Sequence, residues 1–387
     1  MAIEQADQFL AACVRAALTD HNAPPWPSAL ATADHHEILL HRASFHGVCV
    51  LLCEAPEVLA HWPASLVESL RQEMRLAGLW EQLHHKAIAE IIERLAANGI
   101  ASLVLKGTAL AYLVYDEPAV RRRGDTDLLI HPRDLARTRA LLEAAGCYRR
   151  DDPYGLHYQE TWLVDCGAQL EHSIDLHWEP SDRPMIQKIL KADRFWERRV
   201  PLPRLSPAAS APDSISMLVH GAVNQAWHLA RGYYDDDTRI TGGRRLIWAV
   251  DYLRLTERLS PGEWQELGDF CVAHDAAAIV FAALDGAQRD IGLAVPDAVM
   301  AQLRAAAPTS PAYTYINDPD MLRNFRKDFW TASSLGTRLR LVWGMAFAPR
   351  SHLLRKYPDC AQWPTALLQL RRYSEALPGL RKQGHAA

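Results

Sequence analysis

The segment Gly124-Asp125-Thr126-Asp127-Leu128-Leu129-Ile130 is the most informative part of this 387-residue sequence. Its apolar second half predicts a buried β-strand. Because side chains two positions apart on a strand point to the same face, Asp125 and Asp127 are expected to project together. Two carboxylates this close repel each other, and a divalent cation would neutralise them. An Asp-x-Asp pair alone is nevertheless common at structural or surface positions, so its meaning depends on the surrounding sequence.

A third carboxylate lies in the segment Ser173-Ile174-Asp175-Leu176-His177-Trp178. Strand alternation puts Asp175 on one face and its two apolar neighbours on the other. Three carboxylates on adjacent strands would suit a two-metal site, where one ion activates the attacking oxygen and the other stabilises the leaving phosphates. Magnesium is the expected ion, because it prefers oxygen ligands and is usually shared between carboxylates and substrate phosphates. His177 shares the predicted face of Asp175, and it either orients a carboxylate or lines the cleft.

The residues before the acidic pair suggest where phosphates would bind. Val104-Leu105-Lys106-Gly107-Thr108 reads as the end of a buried strand followed by the start of a helix. A strand that runs through a glycine into a helix is the layout in which backbone N–H groups bind phosphate. Arg121-Arg122-Arg123 comes just before the pair, and these arginines could either neutralise a triphosphate or form a solvated loop cluster.

The order of these motifs resembles that of the polymerase-β-like nucleotidyltransferase superfamily. More closely, the sequence resembles a bacterial family of uncharacterised nucleotidyltransferases, whose members carry Leu-Lys-Gly, then arginine before Gly-Asp-x-Asp-Leu-Leu, then Asp-Leu-His-Trp. The corresponding segments here are Leu105-Lys106-Gly107, Arg121 to Leu129 and Asp175 to Trp178. The likeness extends outward to His46-Gly47 and to His220, Trp248 and Asp251 in the later helices.

The resemblance implies an enzyme that moves a nucleoside monophosphate from a nucleoside triphosphate, such as ATP, to an acceptor hydroxyl by a two-metal mechanism. It implies Mg²⁺ as the cofactor. The residues that would hold Mg²⁺ and act in catalysis are Asp125, Asp127 and Asp175, and Asp175 could also help to deprotonate the acceptor. Those that would bind the nucleotide phosphates are Lys106, Gly107, Thr108, Arg121 and Arg123.

Helical sequence patterns flank the segment that carries these motifs. From Ser65 to Ala97, apolar residues recur three and four positions apart, which predicts a long helix. We therefore predict an α+β protein with a small mixed sheet flanked by helical blocks. The predicted regions are an N-terminal helical region (residues 1–98), a nucleotidyltransferase α/β core (99–180) and a C-terminal helical region (181–387).

Composition and charge argue against several classes of protein. The formal net charge is −4, so a nucleic-acid partner is not favoured. The first twenty residues include Glu4 and Asp7, unlike a basic secretory leader, and apolar runs such as Gly47 to Cys53 are too short to span a bilayer. The seven cysteines are scattered, which is typical of reduced thiols. We expect a cytoplasmic protein with no membrane partner.

The sequence is also compatible with two other functions. One is a catalytically silent scaffold that keeps the nucleotide fold, although such a protein has no need to retain three repelling carboxylates. The other is a related phosphoryl-type modification of a peptide or glycan. The acceptor could be a small molecule, a sugar, a peptide or a protein. His220, Arg244 and Asp251 in the C-terminal region could line the acceptor side of the cleft or form helix caps and interhelical pairs.

Overall fold

A five-stranded mixed sheet lies at the centre of the computed structural model, which describes residues 2–19, 22–30, 32–150, 157–167, 170–235, 238–240 and 243–376. Its strands are β1 (Ser102–Leu105), β2 (Asp125–Ile130), β3 (Tyr148–Arg149), β4 (Gln159–Asp165) and β5 (Glu171–His177). Their order across the sheet is β1-β2-β5-β4-β3. β2 and β5 run parallel, and the other neighbours are antiparallel. The predicted α+β class with a small mixed sheet is confirmed.

The register of β2 brings the motifs together. β2 pairs with β5 so that Asp127 lies opposite Asp175, and it pairs with β1 so that Asp127 lies opposite Leu105. The apolar end of β2, Leu128 to Ile130, is fully buried. This end anchors the strand in the core, because the free energy of burying apolar side chains is favourable. The beginning of the strand carries its carboxylates to a cleft.

Helices form the region before the sheet: α1 (Ala2–Leu18), α2 (Ala33–His46), α3 (Cys49–Cys53), α4 (Pro56–Leu59) and α5 (Ala64–Ala97). The helix predicted from Ser65 to Ala97 is thus confirmed as α5. It buries an apolar stripe that ends at Leu95, and it also buries the polar side chains of Glu81 and His84. A buried polar group needs hydrogen-bond partners, so these two residues point to a polar network beneath the sheet.

Two helices belong to the central unit: α6 (Lys106–Leu113), which directly follows β1, and α7 (Leu135–Ala144), between β2 and β3. No side chain caps the N-terminus of α6 at Leu105. The N–H groups of a first helical turn have no partners within the helix, so they are available to a ligand. The uncapped end of α6 lies beside the cleft, where Lys106 and Gly107 are part of the lining.

The remaining chain is mainly helical. Its helices are α8 (Pro184–Gln187), α9 (Ala192–Glu197), α10 (Ser214–Arg231), α11 (Leu246–Thr256), α12 (Pro261–Ala273), α13 (Ala277–Ile291), α14 (Asp297–Ala306), α15 (Pro311–Asn317), α16 (Met321–Thr331), α17 (Leu335–Ala346), α18 (Arg350–Lys356) and α19 (Thr365–Ala376). Two short antiparallel pairs join β6 (Val200–Pro201) to β7 (Ser210–Ala211) and β8 (Tyr233–Asp235) to β9 (Thr238–Ile240).

Buried apolar residues from Ala6 to Ile316 form one continuous core, and a small second cluster lies around Leu353. The division of the chain into three regions stays a prediction, and residues 377–387 of the predicted C-terminal region lie outside the described part. No helix among the described residues combines the length and the apolar character that a bilayer crossing requires.

Candidate active site

The three predicted carboxylates line one cleft beside the paired strands β2 and β5. Asp127 is buried, Asp175 is half-buried and Asp125 is exposed to the cleft. Oxygen atoms of Asp127 and Asp175 and a ring nitrogen of His177 all lie within 4.8 Å of one another. The structure therefore brings two of the predicted carboxylates together and adds His177. Asp125 projects from the same face of β2 on the side nearer to solvent.

Asp127 is the most strongly engaged of the three carboxylates. Its Oδ1 accepts a hydrogen bond from Lys106 Nζ at 2.6 Å and another from His177 Nε2 at 2.9 Å. Burial alone would raise the pKa of Asp127, but the Lys106 ammonium and the His177 hydrogen bond outweigh it and hold that pKa well below its usual range. Asp127 is therefore ionised at neutral pH, and His177 has the orienting contact that one alternative for it anticipated.

The other two carboxylates carry unfavourable negative charge. Desolvation among the cleft walls raises the pKa of Asp125, and repulsion from Asp127 raises it further. Burial and the charge of Asp127 also raise the pKa of Asp175, although Thr161 Oγ1 donates a hydrogen bond of 2.7 Å to its Oδ1. A bound cation would reverse this effect, because it favours the ionised form of each carboxyl group.

Lys106 occupies an unusual backbone conformation. Its φ is +48°, in the left-handed region that side chains other than glycine rarely adopt. Such a conformation costs about 1–3 kcal/mol and persists where surrounding contacts impose it. Burial would lower the pKa of Lys106, but the charges of Asp127, Asp125 and Asp175 outweigh burial and raise it. The ammonium is therefore charged and held against the carboxylates.

Gly107 and Thr108 occupy different environments. Gly107 lines the cleft, and a Cβ built on it would lie 3.4 Å from Arg123 Cβ. Thr108 is buried, and its hydroxyl donates to the backbone carbonyl of Asp125 at 3.2 Å and contacts Thr126 Oγ1 at 3.0 Å. The side chain of Thr108 thus supports β2 from below. Its predicted contact with phosphate stays a prediction, and internal hydrogen bonds already use its hydroxyl.

The three consecutive arginines separate into two kinds. Arg122 is half-exposed and donates to Ser44 Oγ at 2.8 Å. Arg121 is buried and forms an ion pair with Asp251, with 2.7 Å between Nε and Oδ1. Arg123 has a side chain only 3 % exposed. The alternative of a solvated loop cluster is therefore wrong for Arg121 and Arg123, because both guanidinium groups turn inward to partners on distant helices.

Arg123 belongs to a buried network on the face of β2 opposite the carboxylates. It donates to Glu81 Oε1 at 2.9 Å and to His84 Nδ1 at 3.0 Å. Because His84 Nδ1 accepts this bond, Nε2 of the neutral ring carries the proton and donates to Thr126 Oγ1 at 2.7 Å. His172 Nε2 contacts the same hydroxyl at 3.0 Å. Burial lowers the pKa of His84 to about 4 and that of His172 to about 3, so both rings are neutral.

Sequence reasoning did not find this network. Thr126 lies between the two aspartates that define the motif, but its histidine partners come from α5 and from β5. The alternation of β2 signals that Thr126 faces the opposite side, where a hydroxyl requires a polar partner. That signal does not identify which of the chain's 17 histidines supply the partner.

The cleft encloses about 2680 Å³. Its walls come from α5, from α10 and from the C-terminal helices α16 and α17, which contribute apolar side chains such as Leu322 and Val342. Small-molecule pockets commonly measure roughly 300–1,000 Å³. This cleft therefore has room for more than one small molecule.

The three C-terminal residues with undetermined roles have different positions. His220 on α10 lines the cleft, and burial together with the nearby Lys106 charge lowers its pKa to about 3. Arg244 forms an ion pair with Asp290 at 2.9 Å, and Asp251 accepts hydrogen bonds from Arg121 and Tyr115. Arg244, just before α11, thus pairs with α13, and Asp251 on α11 pairs with the segment between α6 and β2. The acceptor-side role of His220 stays a prediction.

The donor set fits a divalent cation. Oxygen atoms of Asp127 and Asp175 and a ring nitrogen of His177 lie within 4.8 Å of one another. Burial and then the charge of Asp127 raise the pKa of Asp125 and of Asp175, and a bound cation would stabilise the ionised form of both. Carboxylate oxygens suit Mg²⁺, and an added imidazole is also compatible with Mn²⁺.

A mixed sheet with paired acidic strands, a basic helix start and a cation-compatible carboxylate group is the arrangement expected of a nucleotidyltransferase. Residues 32–292 match the family described as "Uncharacterised nucleotidyltransferase". This match covers more than half of the 387 residues, and the chain belongs to that family. No curated protein matches the sequence. Family membership supports an enzyme of nucleotidyl transfer with a nucleoside triphosphate as substrate, and nucleotidyltransferases generally use divalent metal ions.

Proposed function

We propose that this protein transfers a nucleoside monophosphate from a nucleoside triphosphate to an acceptor hydroxyl and releases pyrophosphate. Mg²⁺ held by Asp125, Asp127 and Asp175 would neutralise the phosphates and favour the ionised acceptor oxygen. One observation carries the proposal: the in-register pairing of β2 with β5 sets Asp127 beside Asp175 in the cleft.

Asp175 is the group that we propose as the proton acceptor. Its raised pKa brings the carboxyl closer to the range in which a side chain can take a proton efficiently. Thr161 fixes one of its oxygens, so the orientation of the carboxyl is defined. Asp127 serves a different role, because its low pKa keeps it charged and suited to holding the cation.

The start of α6 is the proposed phosphate site. Its uncapped N–H groups carry partial positive charge, and Lys106 adds a full charge on the same side of the cleft. Arg121 and Arg123 are proposed to contribute their electrostatic field rather than direct contacts, because acidic residues already hold their guanidinium groups. The remaining volume of the cleft is proposed to receive the acceptor.

Product analysis tests this function. The protein is incubated with each of four α-³²P-labelled nucleoside triphosphates and a cell extract, in Mg²⁺ or in chelator. We expect Mg²⁺-dependent products heavier by a nucleoside monophosphate, and none with Asp127→Asn. Asp297→Asn, at an exposed position on α14, is the matched control and should behave as the wild type. A parallel incubation with γ-³²P-labelled triphosphates would label products heavier by a phosphate alone and would then indicate phosphoryl transfer instead. The absence of both kinds of product and of triphosphate binding would favour a scaffold.

A further inference from the structure

Lys106 places a positive charge inside the group of carboxylates proposed to bind metal. Its Nζ lies 2.6 Å from Asp127 Oδ1, and its side chain is 29 % exposed. Asp125 and Asp175 also attract the ammonium. A fixed ammonium therefore supplies the charge compensation that a metal ion would otherwise supply.

The backbone is arranged to deliver this side chain. Leu105, the last residue of β1, is the register partner of Asp127, so Lys106 leaves the strand directly beside that carboxylate. The positive φ of Lys106 falls at the first residue of α6, where the chain leaves β1. An uncommon backbone conformation at the start of the proposed phosphate site indicates a constraint linked to function.

The ammonium and a divalent cation compete for the same carboxylate. Asp127 Oδ1 already accepts from Lys106 Nζ and from His177 Nε2, and a carboxylate oxygen offers about two lone-pair positions. A cation at Asp127 would also place two positive charges close to the ammonium, in a cleft where water screens charge poorly. The ammonium must then move away. Lysine suits such a movement, because its charge sits on a flexible four-carbon chain.

We propose that Lys106 is a displaceable counter-ion, which a divalent cation releases from Asp127 so that the ammonium can bind the phosphates of the nucleotide. This inference rests on the proposed metal-dependent function. Lys106 and Gly107 both line the cleft at the open end of α6, so a released ammonium lies on the proposed phosphate side. A lysine ammonium binds phosphate as a compact point charge. Metal binding then precedes and promotes nucleotide binding.

Calorimetric titration with Mn²⁺ alone, without nucleotide, tests the first half of this inference. The proteins compared are the wild type, Lys106→Met, Lys106→Gln and the control Lys86→Met, which removes an exposed lysine from α5. Both neutral variants at position 106 should bind Mn²⁺ at least tenfold more tightly, because the competing charge is gone. In chelator their melting temperatures should fall below that of the wild type, and Mn²⁺ should restore them. Lys86→Met should match the wild type in both measurements.

Titration of the Mn²⁺-saturated proteins with ATP and with GTP tests the second half. Lys106→Met and Lys106→Gln should bind the triphosphate that the wild type prefers at least tenfold more weakly. Unchanged or weaker Mn²⁺ affinity in the folded neutral variants would show that the cation does not displace Lys106 from Asp127. The proposed function would not be affected by that result. Undiminished triphosphate affinity in the two neutral variants would show that the released ammonium does not bind the phosphates. If the wild type itself bound no Mn²⁺, the metal-dependent function would fall together with the inference.

Discussion

Asp127 and Asp175 lie opposite each other on parallel strands, in register, and their carboxylates face the same cleft. The antiparallel strand β1 ends at the same level, because its last residue Leu105 also pairs with Asp127. Three neighbouring strands thus deliver two carboxylates and the ammonium of Lys106 to one point. The balance among these charges governs both the stability of the region and the cation that it can accept.

Replacing Asp175 with Asn tests its proposed role in proton transfer. The amide keeps the size of the side chain but cannot accept the proton, and loss of a general base typically lowers the rate by roughly 10²–10⁴-fold. Triphosphate affinity should change much less than the rate. Single-turnover kinetics with calorimetry separates these effects. A large loss of triphosphate affinity at an unchanged rate constant would assign Asp175 to binding alone.

Removing the charge of Asp127 or of Asp125 should change stability in opposite directions. Asp127→Asn leaves Lys106 without its ionised partner, so the free energy of unfolding in metal-free buffer should fall by about 1–3 kcal/mol. Asp125→Asn relieves repulsion at a site whose pKa is raised, and it should stabilise by less than about 1 kcal/mol because the site is open to solvent. Urea unfolding at pH 7 measures both. Equal effects of the two variants would show that charge compensation by Lys106 is unimportant.

Arg123→Ala should damage the fold more than Arg122→Ala. The guanidinium of Arg123 is buried against Glu81 and His84, so its removal leaves the buried Glu81 carboxylate without a cationic partner, at a cost of about 3–5 kcal/mol. Arg122 is half-exposed, and its loss should cost less than about 1 kcal/mol. Denaturant unfolding of the matched pair provides the comparison. Similar free energies of unfolding would mean that the ion pair of Arg123 with Glu81 contributes little to stability.

The strands and the carboxylates could be predicted because their signals are local. The alternation in β2 fixes the common face of Asp125 and Asp127, and the apolar run after them marks the buried end. The inward turn of Arg121 and Arg123 could not be predicted. Their partners Asp251 and Glu81 are 130 and 42 positions away along the chain, and only the packed helices bring them close.

The contact between Lys106 and Asp127 could be predicted only in part from the sequence. The motif places Lys106 at the end of β1, but the sequence does not reveal that β1 pairs antiparallel with β2 in the register that sets Leu105 against Asp127. Register depends on packing of both strands against the helices around them. The resemblance therefore implies a phosphate contact for Lys106, whereas the structure shows its contact with the Asp127 carboxylate.

Stability should decrease below pH 6.5 because of the network around Thr126. His84 and His172 have pKa values of about 4 and about 3 in the fold, whereas an unfolded histidine has about 6.5. The unfolded chain therefore binds more protons between these values, and the stabilisation present above pH 6.5 is lost as the pH falls toward 4. Each ring should contribute about 1–3 kcal/mol to this loss. Urea unfolding from pH 7 to 4 measures it, and His172→Gln should flatten the curve; an unchanged slope would exclude His172 as a contributor.

Substitution of Gly107 tests whether the start of α6 binds phosphate. A single Cβ at this position has ordinary contact with Arg123, so Gly107→Ala should fold normally, whereas Gly107→Val adds a branched side chain to a residue that lines the cleft in the first turn of the uncapped helix. Close approach of phosphates to the N–H groups of that turn would then be obstructed. We expect Mg²⁺-dependent triphosphate affinity to fall about tenfold or more in Gly107→Val and less in Gly107→Ala.

Gly262→Val, where an added Cβ meets no atom within 4 Å, is the control for a general effect of valine and should bind as the wild type. Calorimetric titration with each triphosphate in Mg²⁺ and in chelator measures the series. Undiminished binding by a folded Gly107→Val protein would place the phosphates away from α6, and the arginine side of the cleft would become the alternative.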